Sequence, residues 1–196
     1  MTAGYELIDL AQEVMDGKKD GSAGKAIITT GGNRTGEMMA GLQPPSCALL
    51  WALVRSTSNT DRHFGLLHLM LTNHMRFEIA TSGAKFTKQS VKEVAAGVAR
   101  SALHQYLFKK GHCKNCNGKG LVFSGVCNAC NGSGFAKWNS SDGYRLSKLS
   151  ISRQAYTSSC MRFEDIATDT LHTWRVWLDA HLFDYFHALK NEMEVL

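Results

Sequence analysis

Two segments of this chain share one pattern: Cys113-Lys-Asn-Cys116-Asn-Gly-Lys-Gly120 and Cys127-Asn-Ala-Cys130-Asn-Gly-Ser-Gly134, with ten residues between the two cysteine pairs. Zinc takes four soft ligands in a tetrahedron, and two C-x-x-C knuckles supply them. Glycine after each knuckle lets the backbone turn with positive φ, so that N–H groups can point at the thiolates. Cys113, Cys116, Cys127 and Cys130 are therefore expected to hold one structural Zn²⁺. Two disulfides are the alternative, and nothing else in the chain suggests the secretion that would favour them. His112 abuts the first knuckle, but four cysteines already complete the site. A four-cysteine site has no open coordination position for catalysis. With no H-E-x-x-H and no Ser-His-Asp or Cys-His pattern, no enzyme is expected.

A second candidate follows the knuckles, in Leu149-Ser-Ile-Ser-Arg-Gln-Ala-Tyr156. Ser152 is placed to cap a helix, and Arg153, Gln154 and Tyr156 are expected to point outward from its first turns. Helix-turn-helix proteins set such residues on base edges in the major groove, where Arg reads guanine and Gln reads adenine. Arg145, Lys148 and Arg162 are expected to reach phosphates, and the capping Ser152 is counted with them among the DNA-binding candidates. An ordinary amphipathic helix with a solvated face is the plainer reading. A third candidate fails: Thr30-Gly-Gly-Asn-Arg-Thr-Gly36 lacks the Gly-Lys-Ser/Thr ending that a phosphate loop needs.

The charge pattern agrees with a polyanion as partner. The chain has 196 residues, 44% of them hydrophobic, and a net charge of +5. Residues 94–141 contain six Lys or Arg and no Asp or Glu, whereas residues 164–196 carry seven acids against two bases. A basic stripe beside a metal knuckle is the footprint of a nucleic-acid binder. The first twenty residues hold five acids and two lysines, which does not fit a signal peptide. No run of 18 apolar residues suggests a membrane span. Cys47 and Cys160 read as buried thiols, and a reducing, cytoplasmic compartment is expected.

The elements that must position these residues are read as mainly α: a helical core with a helix-turn-helix-like element and a small zinc-knuckle β-hairpin insertion. Residues 1–43 read as an acidic helix followed by a Gly-rich segment. Residues 44–109 read as a helical core. Ser46 is the expected cap of its first helix. The second, about 61–80, is capped by Asp61 and buries Leu66, Leu67, Met70, Leu71, His74, Phe77 and Ile79. The third runs from about Gln89 to Phe108. Residues 110–137 read as the four-cysteine zinc finger, with Leu121-Val122-Phe123 in a short hairpin arm. In 138–196, Asn139–Gly143 reads as a turn, a recognition-like helix covers about 153–163, and an aromatic, acidic helix covers about 165–193. That last helix is read as core, with a dimer seam or a partner-binding face as alternatives. Its outer acids (Asp169, Asp179, Asp184, Glu192, Glu194) are candidates to dock a basic protein surface. The scattered histidines (His63, His68, His74, His172, His181, His187) are read as structural.

This pattern resembles the Q antitermination proteins of lambdoid phages: a helical region, two C-x-x-C-x-G-x-G knuckles, then an aromatic-bearing helical part. The resemblance covers roughly residues 87–190. It rests on the knuckles, on the apolar-alanine-aromatic stretch Val91–Tyr106 before them, and on Ser152–Tyr156 after them. It implies a bacteriophage protein in the cytoplasm of the bacterial host that binds double-stranded DNA overlapping a late promoter. It further implies engagement of paused RNA polymerase holoenzyme through sigma factor, and read-through of terminators. By this resemblance the four cysteines hold zinc, Arg153, Gln154 and Tyr156 contact DNA, and the helix at 88–108 is the first half of a helix-turn-helix with the zinc arm inserted before the second. Two rivals remain: a zinc-dependent RNA- or protein-binding regulator, and a DnaJ-like zinc module binding unfolded protein. The latter regions carry four repeats rather than two and accompany a His-Pro-Asp signature that this chain lacks.

Overall fold

A computed structural model describes residues 8–9, 11–12, 38–56, 58, 60–87, 89–123 and 125–194. The expected helix at 1–16 and Gly-rich segment at 17–42 lie mostly outside them; of these only residues 8–9, 11–12 and 38–42 are described, and 8–9, 11–12 and 38–39 are helical. The protein is mainly helical with one small antiparallel hairpin. In order come α1 (Pro44–Arg55), α2 (Arg62–Thr81), α3 (Val91–Leu107), β1 (Leu121–Val122), β2 (Gly125–Val126), α4 (Ser140–Ser147), α5 (Arg153–Ser159) and α6 (Met161–Glu194). Among the described residues no helix is long and apolar enough to cross a membrane.

Packing divides the chain into two compact units. One comprises residues 58–60 and 64–171, and the other residues 1–57, 61–63 and 172–196. The compact units thus follow packing rather than chain order, and the finger shares a unit with most of α2, with α3 to α5 and with the start of α6.

In the larger unit the core is a stripe from each of three helices. On α2 it is Phe64, Leu67, Leu71, Met75 and Ile79, on α3 Val94, Ala95, Val98, Ala99, Ala102 and Leu103, and on α6 Phe163, Ala167 and Leu171. The spacing of three and four is that of one helical face. The α2 stripe is narrower than expected: Leu66 and Phe77 are 49% and 66% exposed, because they lie outside that single face. In the smaller unit Leu49, Leu50 and Ala52 of α1 and Trp174, Leu178, Leu182 and Leu189 of α6 are buried.

Four helix boundaries differ from expectation, each for a local reason. Helix α1 begins at Pro44, with Gln43 in the cap position, since proline suits the first helical turn where its missing N–H is not needed. Ser46 is instead inside the helix, and its hydroxyl donates to the Trp174 carbonyl at 3.3 Å. Asn139–Gly143 is no turn but the start of α4. The Asn139 side chain accepts from the Ser141 and Asp142 N–H groups, and the Asp142 carboxylate accepts back from the Asn139 N–H. This reciprocal capping box converts a turn-like composition into a helix start. The helix expected at 153–163 breaks at Cys160, and the long helix starts at Met161, four residues earlier than read. Cys160 is fully buried, as expected, whereas Cys47 is half-buried.

Candidate functional site

The two knuckles fold as copies of each other. Asn117 and Asn131 take φ of 49° and 52°, Gly118 and Gly132 take 83° and 80°, and Gly120 and Gly134 take 72° and 75°. Asparagine tolerates the left-handed region better than other side chains do, and glycine enters it freely. The copies then interlock: the Cys113 N–H donates to the Gly134 carbonyl at 2.8 Å, and the Cys127 N–H to the Gly120 carbonyl at 2.9 Å. The approach is close enough to demand glycine. A Cβ on Gly120 would lie 2.2 Å from the Gly132 carbonyl oxygen, and one on Gly134 2.4 Å from the Gly118 oxygen.

This backbone brings four buried Sγ atoms within 4.8 Å of one another. Cys113 and Cys127 are 4.0 Å apart and Cys116 and Cys130 3.8 Å. All six cysteines are free thiols, and these separations are well beyond the about 2.05 Å of a covalent S–S bond, so the disulfide alternative does not hold. Four buried cysteines in this arrangement can hold one metal ion. Two N–H donors already serve the sulfurs: Gly120 N–H to Cys116, and the Asn115 side-chain amide to Cys127, each at 3.3 Å. The Asn115 amide holds the Cys127 thiol down at about 6, while burial pushes Cys116 up to about 11. Asn115 breaks the two-fold likeness, since Ala129 stands at its place in the second knuckle. It was visible only as a donor inside a knuckle. His112 is not part of the cluster; its ring stacks on Phe135 with centroids 5.8 Å apart.

The hairpin forms where expected, with Leu121 opposite Val126 and Val122 opposite Gly125. The finger closes at its root. The Ala136 N–H donates to the Gly111 carbonyl at 2.9 Å, beside a bridge between His112 and Phe135. Lys110 then ties this root to α4, hydrogen bonding to the Lys137 carbonyl at 3.3 Å and pairing with the Asp142 carboxylate. Burial works to raise the Asp142 carboxyl, but the Lys110 hydrogen bond, the Asn139 N–H and the nearby cations together hold it below the usual range.

The helix preceding α5 is α4, not the helix at 88–108. Lys148, with φ of 55°, ends α4, and five residues later α5 begins behind Ser152, whose hydroxyl accepts from the Ala155 N–H at 3.1 Å. The four-cysteine segment therefore sits between α3 and α4, one helix earlier than expected. The reason is the Asn139–Asp142 capping box, which supplies the extra helix. Helix α4 packs along α3, and Gly97 of α3 leaves room for Leu149 of the turn, whose Cγ would be 2.6 Å from an added Cβ.

One carboxylate fixes α5. Glu164 of α6 accepts from the Tyr156 hydroxyl, from Ser101 at 3.1 Å and from Gln105, and Gly143 of α4 is close enough that a Cβ there would meet Glu164 at 2.7 Å. Tyr156 is fully buried, so it does not point outward and cannot contact DNA from this position. Its side of α5 is the inner one, and its hydroxyl is spent on Glu164. Burial, then the Glu164 charge, hold the Tyr156 phenol in its neutral form. Tyr144 packs edge-on to it at 5.9 Å and donates to the Ile151 carbonyl at 2.9 Å, bracing the turn.

The outer face of α5 is Arg153, Gln154, Thr157 and Ser158, all exposed. The last two were missed; they follow from the i, i+4 spacing once Tyr156 is known to face inward. Lys148 is exposed at the turn. Arg145 is exposed and its guanidinium lies 3.4 Å from Asp142, and Arg162 is exposed with its guanidinium 4.5 Å from the Phe163 ring centre. Of the outer acids on α6, Asp169 and Asp184 are exposed and Asp179 accepts from Arg175 at 2.7 Å. The side chains of Glu192 and Glu194 lie outside the described residues.

Comparison with models of known protein families and with curated proteins finds no match for this chain.

Proposed function

We propose that this protein is a DNA-binding transcription regulator with one structural Zn²⁺, acting as a late-gene antiterminator of the phage Q kind. The observation that carries the DNA reading is the α4–turn–α5 pair. Its second helix is locked from behind by Glu164 and turns Arg153 and Gln154 outward, with Lys148 exposed on the adjoining turn. A rigid helix with a bidentate donor and an amide at its start is suited to base edges, and the cation beside it to phosphate. The zinc assignment draws on the spacing of the sulfurs. Zn–S bonds of about 2.3 Å in a tetrahedron give edges of about 3.8 Å, against the 3.8 and 4.0 Å found here. Antitermination, with polymerase holoenzyme and sigma factor as partners, is supported by the resemblance of residues 87–190, and the exposed Asp169 and Asp184 of α6 suit a basic protein surface.

The test is binding to duplex fragments of the late-promoter region against scrambled DNA, at two salt concentrations. A preference for one fragment that persists at high salt is expected, followed by terminator read-through in a run-off transcription assay. Uniform, salt-steep binding to every fragment would reduce the contact to charge alone and remove the proposal.

A further inference from the structure

The finger carries a surface that the helix pair does not use. On β1 Val122 packs on the cysteine cluster, while Leu121 before it and Phe123, in the turn just past the strand, are exposed. Phe123 is fully exposed, and Leu121 and its cross-strand partner Val126 are 61% and 60% exposed. A two-residue hairpin is marginal alone. This one is anchored at its base by Val122 on the cysteines and by the Cys127 N–H on the Gly120 carbonyl at 2.9 Å. The ring is thus presented on a braced support.

Beside it lies an open hollow of about 530 Å³, lined among others by Asn115, Asn117, Lys119 and Phe123. Lys114 and Lys119 are exposed, and no Asp or Glu occurs anywhere from residue 94 to residue 141. An aromatic ring in full solvent, amide side chains, ammonium groups and no carboxylate suit a polyanion made of flat rings. A duplex keeps its bases stacked and offers no ring face, whereas a single strand does. An acidic peptide would satisfy the lysines but has no matching use for the ring.

We infer that the hairpin tip is a stacking site for single-stranded nucleic acid, with Phe123 as the platform for a base and Lys119 as a phosphate contact. DNA and RNA strands share this chemistry. The site is separate from Arg153 and Gln154 and does not depend on the duplex reading.

The experiment uses the full-length, zinc-loaded protein and fluorescence anisotropy with labelled oligo-dT and oligo-rU of about 12 nucleotides, within the usual single-strand site sizes, and with a duplex of the same length. Phe123→Ala is expected to weaken single-strand binding about 5- to 150-fold, the range for one stacked base. Phe123→Trp should restore it, with zinc content and duplex binding unchanged in both. Lys119→Gln should flatten the salt dependence by about 0.7 in the log–log slope. The tighter of oligo-dT and oligo-rU identifies the strand. Arg153→Ala/Gln154→Ala should lose duplex preference and keep the single-strand affinity, which separates the two readings. The inference is overturned if Phe123→Ala binds both oligonucleotides like the parent. It is equally overturned if that variant keeps oligonucleotide binding but loses binding to poly-glutamate, which would make the tip a protein contact.

Discussion

The finger and the helix pair lie in one compact unit, yet their shapes are held by opposite means. The finger has almost no apolar core of its own; four cysteines, the six left-handed backbone positions of the two knuckles and reciprocal cysteine–glycine hydrogen bonds define it. The α4–α5 pair is held from outside itself, by a buried polar cluster in which Glu164 gathers Tyr156, Ser101 and Gln105. Local covalent spacing governs the first and contacts across 59 to 63 positions of chain govern part of the second. The two regions should therefore fail separately.

The largest expected effect is on the finger. Cys127→Ser, or removal of metal by a chelator, forfeits binding worth about 10–16 kcal/mol in comparable small zinc modules. The finger should unfold while far-UV circular dichroism keeps most of its helical signal. Full metal occupancy with unchanged melting in Cys127→Ser would show that the cysteines are not the ligands. Next comes the helix pair. Glu164→Ala strands the Tyr156 and Ser101 hydroxyls without their acceptor, leaves Gln105 only Ser101 to donate to, and should destabilise the larger unit by about 2–4 kcal/mol, with metal content unaltered. A melting temperature equal to the parent's would remove Glu164 from its place as the hub. Arg153→Ala should cost about 1–3 kcal/mol at one base pair of the preferred duplex and leave stability alone. An equal loss on every sequence would make Arg153 a phosphate contact instead. Smallest is the cap: Asn139→Ala should cost about 1 kcal/mol, measured by denaturant unfolding, and a neutral result would mean that Asp142 and Lys110 alone secure the start of α4.

The same contrast explains what could be read in advance. The four-cysteine cluster and the hairpin were legible because C-x-x-C-x-G-x-G states residue type, spacing and turn geometry within eight residues. The main helices were legible from their periodic apolar positions. Helix α4 was not, because Asn-Ser-Ser-Asp-Gly is as good a turn as it is a capping box, and the contacts that back the helix, Lys110 on Asp142 and packing along α3, are remote in sequence. Tyr156 was misplaced because an aromatic four residues into a short helix faces inward or outward according to a partner eight residues further on. Ser101 offered a clue, since it interrupts the apolar face of α3 and so requires an acceptor, but nothing nearby names Glu164 as that acceptor.

The root of the finger has a consequence for how such a chain can change over time. Gly111 and Ala136 are hydrogen bonded to each other, and Lys110 fastens the adjoining backbone to Asp142. Everything between them leaves and returns at a single point, so the segment is an exchangeable cassette. Its length, tip and ligand can be rewritten by insertion, deletion or wholesale replacement with a short glycine bridge, while the helices on which it is mounted keep their register.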